Sequence, residues 1–263
     1  MQQPTKTLPS DPSSAPARHI AIVGATSAMA EHCARLWLGQ GPARLTLLGR
    51  DAARLERVAQ DLRVRSPQSR IDTMTADFLR PEDITRAVDE ICAGGAPDIA
   101  LIAHGTLPEQ RQCEADLDVC AEAMAVNGIS PALFAERFAT HLQRAGRGRI
   151  GLIGSVAGDR GRKSNYAYGA AKGMLERYAQ GLQHRLAGSG VAVTLIKPGP
   201  TATPMTANLS QNVGKLASVE SVARAIVAAV DAGRPVAYAP GKWRLIMLVI
   251  RHLPRFVFNR MDI

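Results

Sequence analysis

The chain of 263 residues contains no apolar run approaching the roughly 20 residues that cross a bilayer, so no membrane-spanning segment is expected. Its first stretch, MQQPTKTLPSDPSSAPA, lacks the apolar core of a secretion signal, and a cytoplasmic location is the expectation. The four cysteines, Cys33, Cys92, Cys113 and Cys120, form no Cys-x-x-Cys pair and have no histidine at metal-ligand spacing. A zinc site or disulfide framework is therefore not expected, and they read as buried or helix-face thiols. The 23 Gly and 16 Pro follow no period, which excludes a collagen-like chain. Acidic residues are the scarcer charge, 23 Asp and Glu against 32 Lys and Arg, and the formal net charge is +9. That balance favours acidic partners: nucleotides, phosphorylated substrates, nucleic acid or an anionic membrane surface. What is present, 46% hydrophobic and 21% charged residues, describes one folded globular domain.

Residues 1 to 17 are rich in Pro, Ser and Gln and are expected to form a disordered tail. From His19 onward, short apolar runs alternate with amphipathic stretches. IAIVG precedes a helix to about Gln40, RLTLLG a helix over 51–62, IDTMTADF a helix over 81–93, and DIALIAHG a long helix from about 114 to 144. GRIGLIGS, with a helix ending near Leu186, VAVTLIKPG, with a helix around 218–232, and PVAYAP complete the pattern. Strands that read as continuous Val/Ile/Leu runs belong to a parallel sheet covered on both faces. The expected fold is α/β, a single doubly wound Rossmann-type domain over 18–241 with about seven parallel strands, carrying a basic amphipathic extension over 242–263. Ligands of such sheets sit at the C-terminal ends of the strands.

After the first strand comes Val23-Gly24-Ala25-Thr26-Ser27-Ala28-Met29-Ala30, a small-residue turn entering a helix, where free N–H groups and the helix dipole can receive a pyrophosphate. Ala28 and Ala30 stand where glycines are usual, so a plain packing turn is the alternative. Arg50 ends the second strand, where an acid would suit a free ribose 2′-hydroxyl and an arginine suits a 2′-phosphate. NADPH is thus preferred to NADH, unless Arg50 merely caps the next helix with Asp51. Asp77 after the third strand is placed to accept from an adenine amino group. Tyr168 and Lys172 in YGAAK lie four apart on one helix face. An ammonium at ~4 Å with effective dielectric ~20 favours phenolate by ~4 kcal/mol before desolvation, enough to bring a phenol of pKa about 10 near neutrality. Ser155, ending its strand, can polarise a carbonyl, and Asn127 inside a long helix marks a local distortion or a bound water.

These residues, in this order, resemble the short-chain dehydrogenase/reductase family from His19 to about Pro240. The likeness implies a catalytic tetrad of Asn127, Ser155, Tyr168 and Lys172: Tyr168 gives a proton, Lys172 lowers its pKa and holds the nicotinamide ribose, Ser155 orients the carbonyl, and Asn127 supports a water relay. It implies cofactor contacts from Gly24, Thr26, Ser27, Ala28 and Met29, from Arg50, Asp77 and Phe78, from Ala103, His104 and Gly105, and from Pro198, Gly199 and Thr201, besides Tyr168 and Lys172. It also implies a homo-oligomer. The segment Ile102-Ala103-His104-Gly105 departs from the family's Asn-Asn-Ala-Gly.

The stretch APGKWRLIMLVIRHLPRFVFNRMDI and the loop AGDRGRKSNYAYGAAK are similar to the decaprenylphosphoryl-2-keto-ribose reductase subfamily. This narrower likeness implies a keto sugar on a lipid carrier, a flavin-dependent oxidase as partner, and a place in cell-envelope biosynthesis. Residues 242–263 hold Lys242, Arg244, Arg251, Arg255 and Arg260 against Asp262 alone, interleaved with Trp243, Leu245 to Ile250, Phe256 and Phe258. Such a segment suits a headgroup layer, the inner face of the membrane, and equally suits packing over the pocket or at an interface. Arg160, Arg162 and Lys163 are candidate ligands of a substrate phosphate. Other readings are a carbonyl reductase of a soluble or hydrophobic ketone and an idle NADP-binding scaffold. Nucleic acid is not an expected partner, because no aromatic-basic face appears.

Overall fold

The structure, a computed structural model, describes residues 18–209 and 216–261. The expected tail over residues 1 to 17 lies outside them. Seven strands, β1 (Arg18–Val23), β2 (Ala43–Gly49), β3 (Arg70–Thr75), β4 (Ile99–Ile102), β5 (Gly148–Ile153), β6 (Val191–Pro198) and β7 (Val236–Ala239), form one sheet in the order β3-β2-β1-β4-β5-β6-β7. Every neighbouring pair is parallel. Strand order reverses between β1 and β4, and the crevice at that switch point opens beside the ends of both strands.

Helices α1 (Ala28–Leu38), α2 (Ala52–Arg65) and α3 (Pro81–Cys92) follow the first three strands. The first three boundaries fall within three residues of expectation, because local chemistry sets them: Asp51 caps α2 by accepting from the Arg54 N–H at 3.0 Å, and Pro81 opens α3. The expected long helix is divided. It comprises α4 (Gln110–Ala115), α5 (Leu117–Met124), a π-helical turn over Ala125–Ile129, and α6 (Ser130–Ala145). The break has a cause in Asp116, whose carboxylate accepts from the Asp118 N–H at 2.8 Å and starts a new helix. The stretch Leu117–Ala145 is, by length and composition, long and apolar enough to cross a bilayer, contrary to expectation. Its apolar side nevertheless faces the sheet, with Phe134, Phe138 and Leu142 fully buried.

The second half adds α7 (Tyr166–Arg185), α8 (Val219–Asp231), α9 (Trp243–His252) and α10 (Arg255–Phe258). One core layer joins the sheet to α1, α2 and α8 through Trp37, Leu62 and Ile226; the other joins it to α3, α6 and α7 through Ile84, Phe138 and Leu175. Truncating a buried Phe or Trp in either layer costs about 3–5 kcal/mol. Pro254 ends α9, and the chain turns into α10. Cys33, Cys92 and Cys113 are buried and Cys120 is half-buried, as free thiols.

Candidate active site

The turn after β1 begins at Gly24, whose φ is +77°, a left-handed value natural to glycine. A Cβ there would lie 2.6 Å from the His104 backbone nitrogen, so the glycine also lets β1 and the loop after β4 come together. Ser27 precedes α1 without a side-chain cap, and Glu31 is the first residue whose N–H reaches back to the Ser27 carbonyl. The N–H groups of Ala28, Met29 and Ala30 are left for a ligand. Ala28 and Met29 border a cleft of about 590 Å³ that Gly24, Thr26, Arg50, Phe78, Ala103 and His104 also line.

Arg50 and His104 were expected here; Arg54 and the surroundings of His104 were not legible. Asp51 caps α2, and neither Arg50 nor its neighbour one turn on, Arg54, has a carboxylate partner among the described residues. His104 is enclosed by Phe78 and Phe134, with ring centroids 4.8 and 5.5 Å away. Its Nε2 meets the Ser130 hydroxyl at 2.8 Å while its buried Nδ1 has no partner. Burial, with Lys172 and Arg50 adding to it, drives its pKa down to about 3, so the ring is neutral in use. Asp77 lines an adjoining depression with Arg50, and its Oδ1 accepts from the Leu79 N–H at 2.9 Å.

The deeper part of the crevice, about 130 Å³, is lined by Asn127, Ser155, Tyr168, Lys172 and the Pro198-Gly199 turn, and it shares His104 and Gly105 with the first cleft. Small residues bring these side chains together. A Cβ on Gly169 would stand 2.9 Å from the Ala157 carbonyl, and one on Gly158 2.9 Å from the Gly173 nitrogen, so α7 lies directly on the turn that follows β5. Ser155 sits just beyond β5, capping a 3-10 turn over Val156–Asp159, with its Oγ accepting from the Ala157 N–H at 3.1 Å. Asn127 lies in the π-helical turn, so the distortion expected around it is real. Its Oδ1 accepts from the Thr106 N–H at 3.0 Å and its Nδ2 donates to the Ala123 carbonyl at 2.8 Å. These bonds clamp the loop after β4 to the helix. A Cβ on Gly105 would come within 2.8 Å of that Oδ1.

The charge balance at Tyr168 differs from the spacing argument. Lys172 Nζ lies 5.7 Å from the Tyr168 ring centroid and donates to the Ile153 carbonyl at 3.0 Å. Burial raises the Tyr168 hydroxyl above its ordinary pKa, and only its hydrogen bond with Ser155 pulls it down. Burial also lowers Lys172 to about 8. Desolvation thus prevails over the Ser155 hydrogen bond, and the hydroxyl stands above its ordinary value rather than near neutrality.

The basic loop is divided as well. Arg160 donates to the carbonyls of Ile250 and Leu253 at 2.5 and 2.8 Å, and its guanidinium lies 3.7 Å from the Phe258 ring centroid. It fastens α9 and α10 to the body rather than facing a substrate. Arg162 lines the deep crevice, and Lys163 does not. Thr201 lines it too, although its Oγ1 donates to the Gly199 carbonyl at 2.9 Å. From above, Trp243 closes on the Pro198-Gly199 turn, its indole nitrogen 1.9 Å from where a Gly199 Cβ would be. Sequence reasoning also passed over Asn165, one turn before Tyr168, which faces the crevice with a buried Oδ1 lacking a partner. Among the described residues no group of three His, Cys, Asp or Glu could hold a metal ion.

The chain is similar in sequence and in fold to known proteins. The short chain dehydrogenase family model matches residues 18–214. An oxidoreductase of Streptomyces coelicolor from the mprA 5′ region is 30% identical over 261 residues, 97% of this chain and 99% of that protein. Galactitol 2-dehydrogenase (L-tagatose-forming) of Cereibacter sphaeroides is 31% identical over 194 residues, 73% of this chain and 74% of its own. Among solved structures, a short chain dehydrogenase of Burkholderia cenocepacia in complex with NADP superposes with a TM-score of 0.79 at 20% identity, covering 93% of this chain and 97% of that one. The chain belongs to the short-chain dehydrogenase family and is an NAD(P)-dependent oxidoreductase.

Proposed function

We propose that the protein is an NADPH-dependent reductase of a keto group, with Tyr168, Ser155, Lys172 and Asn127 as its working residues. One observation carries this reading: a half-buried Tyr168, its hydroxyl held above its ordinary pKa, stands at the end of the crevice with Ser155 and with a buried Lys172 that has no carboxylate partner among the described residues. The cofactor, when bound, supplies the hydride. Tyr168 holds a proton at its hydroxyl and gives it to the carbonyl oxygen, and its raised pKa suits a donor. Ser155 orients that oxygen by hydrogen bonding. Lys172 presents a cation to the ribose and to the phenol as it loses its proton, and Asn127 holds the wall of the crevice in place. The unpaired Arg50 and Arg54 and the orphaned His104 Nδ1 fit a dinucleotide carrying a 2′-phosphate. The NADP of the Burkholderia cenocepacia neighbour supports the same choice.

The substrate in this reading is a keto sugar on a polyprenyl phosphate, supplied by a flavin-dependent oxidase in cell-envelope biosynthesis. The galactitol and L-tagatose in the name of one relative support a sugar-like ketone. Leu245, Leu248, Val249 and Phe256 are exposed on α9 and α10, with five basic residues and no Asp or Glu between residues 242 and 261. That combination supports attachment at an anionic membrane face, where a lipid chain would remain while its headgroup enters the crevice. Sedimentation with anionic vesicles should carry down the full chain at low salt, and replacing Leu245, Leu248 and Phe256 by Ser should release it. A chain that stays in the supernatant returns the reading to a soluble ketone.

The reductase assignment is tested by Tyr168→Phe. Turnover with NADPH should fall on the order of 10³-fold while NADPH still binds. Turnover close to that of the unaltered chain overturns it.

A further inference from the structure

Arg162 and Asn165 have no place in the chemistry just described, yet both line the deep crevice and both carry an orphaned buried atom. Arg162 Nε has no hydrogen-bond acceptor, and Nη2 reaches only the Met247 sulfur, at 3.6 Å. Among the described residues no carboxylate forms an ion pair with Arg162. The acid whose charge acts on it is Asp159, and that carboxylate is already held by Lys197 and by the Tyr238 hydroxyl. Burial lowers the pKa of the Arg162 guanidinium, and the attraction of Asp159 does not offset it. A desolvated guanidinium without an acceptor is costly in a resting protein. Three residues on, Asn165 precedes α7 without capping it, and its Oδ1 is equally unanswered. One is a cationic donor and the other a neutral acceptor, on the same loop, at the wall facing Tyr168.

We infer that Arg162 and Asn165 form the recognition pair for a phosphorylated polyhydroxy ketone, Arg162 taking the phosphate and Asn165 accepting from a neighbouring hydroxyl. This inference rests on the reductase reading above and assigns the residues that select the substrate of that crevice. The fork of a guanidinium presents parallel N–H groups to phosphate oxygens, whereas a neutral ketone would leave Nε unanswered. Arg160, two residues earlier, has its guanidinium bound to the α9 carbonyls and stands as the contrasting structural arginine.

The test uses the full chain saturated with NADPH. Calorimetric titration compares farnesyl phosphate with farnesol, and ribose 5-phosphate with ribose. Turnover compares ribulose 5-phosphate with ribulose. The phosphate should tighten binding by about 30-fold in at least one pair, the size of a charge-assisted hydrogen bond. The ratio should shrink to about threefold or less in Arg162→Gln and be partly restored in Arg162→Lys, a pattern that a merely structural arginine would not produce. Asn165→Leu should raise KM for ribulose 5-phosphate more than it lowers kcat. A preference confined to the farnesyl pair assigns a lipid headgroup, and one confined to the ribose pair a soluble sugar phosphate. Equal binding of phosphorylated and neutral probes in the unaltered chain overturns the inference, whether or not any ketone is reduced. Phosphate-dependent binding in a chain whose turnover survives Tyr168→Phe would instead leave the pair standing and sink the reductase reading.

Discussion

Two lysines are buried to nearly the same depth in neighbouring parts of the molecule, Lys172 on α7 at 3% exposure and Lys197 on β6 at 2%, and they have opposite electrostatics. Lys197 is bound by the Asp159 carboxylate and by Glu176 at 2.8 Å. Burial pushes its pKa down, but the hydrogen bonds and charges of those two acids outweigh burial and carry it up. Among the described residues Lys172 donates only to the Ile153 carbonyl, and burial takes it down to about 8. A buried cation surrounded by acids holds elements together; one left without them is available to a ligand. The arginines divide the same way, Arg160 being used by the fold while Arg50 and Arg162 face the crevice without a carboxylate.

The contrast is broken most directly at Lys172. Lys172→Met should lower turnover about 10³-fold. Its melting temperature should hold or rise, because at neutral pH the native state no longer keeps a charge whose pKa stands at about 8. The sign follows from proton linkage. Between about 8 and the ordinary lysine value the unfolded chain binds the extra proton, so this group makes stability rise with pH, a rise that Lys172→Met should abolish. The same titration should bend the pH profile of kcat/KM downward above about 8, since Tyr168 titrates higher still. Urea titrations over pH 7 to 10 and initial rates over the same span measure both.

Lys197→Met should do the reverse. It leaves Asp159 and Glu176 buried without their cation and should cost about 3–5 kcal/mol, seen as a drop on the order of 10 °C in melting temperature. The Lys197 contribution is present at neutral pH and is lost only as pH climbs through its raised value. A stable Lys197→Met variant would remove the distinction between paired and unpaired cations. A smaller effect is expected at Arg50. Arg50→Ala should weaken NADPH by about 30-fold and NADH by no more than about threefold, read from KM values for the two cofactors. Equal losses would make Arg50 a surface residue. Smallest of all is Arg137, which meets Asp89 at 2.5 Å on the surface and, with His141, holds that carboxyl down to about 2. Both side chains are a third or more exposed, so solvent screens the pair, and Arg137→Ala should cost less than about 1 kcal/mol in a urea titration.

How much was legible follows the distance over which each interaction acts. About seven strands and their parallel direction could be read because buried Val/Ile/Leu runs and intervening amphipathic stretches are local patterns, while their order in the sheet was not given. Tyr168 and Lys172 share a helix face through a spacing of four, so their meeting was legible, but the direction of the Tyr168 shift was not. Spacing supplies the Coulomb attraction and says nothing about how much water is removed. The expected long helix over 114 to 144 hid its break at Asp116, whose cap competes with continued helix over only a few residues, whereas the distortion at Asn127 was expected and only its bond to Thr106 on another loop was not.

The order of strands and helices, the small-residue turn at Gly24 and the YGAAK face were therefore determined by the chain's own local chemistry. Which basic residues are free was not. Arg160 and Arg162 are two apart in a loop that is uniformly basic as a sequence, and they part only when α9 folds back to offer its last carbonyls to one and leave the other in the crevice. The Lys197 network likewise joins β6, α7 and the turn after β5, and the desolvation that sets Tyr168, Lys172 and His104 exists only once those elements are packed. Burial and pairing are properties of three-dimensional neighbours, which is why tertiary structure alone decided which charges hold the fold and which face the crevice.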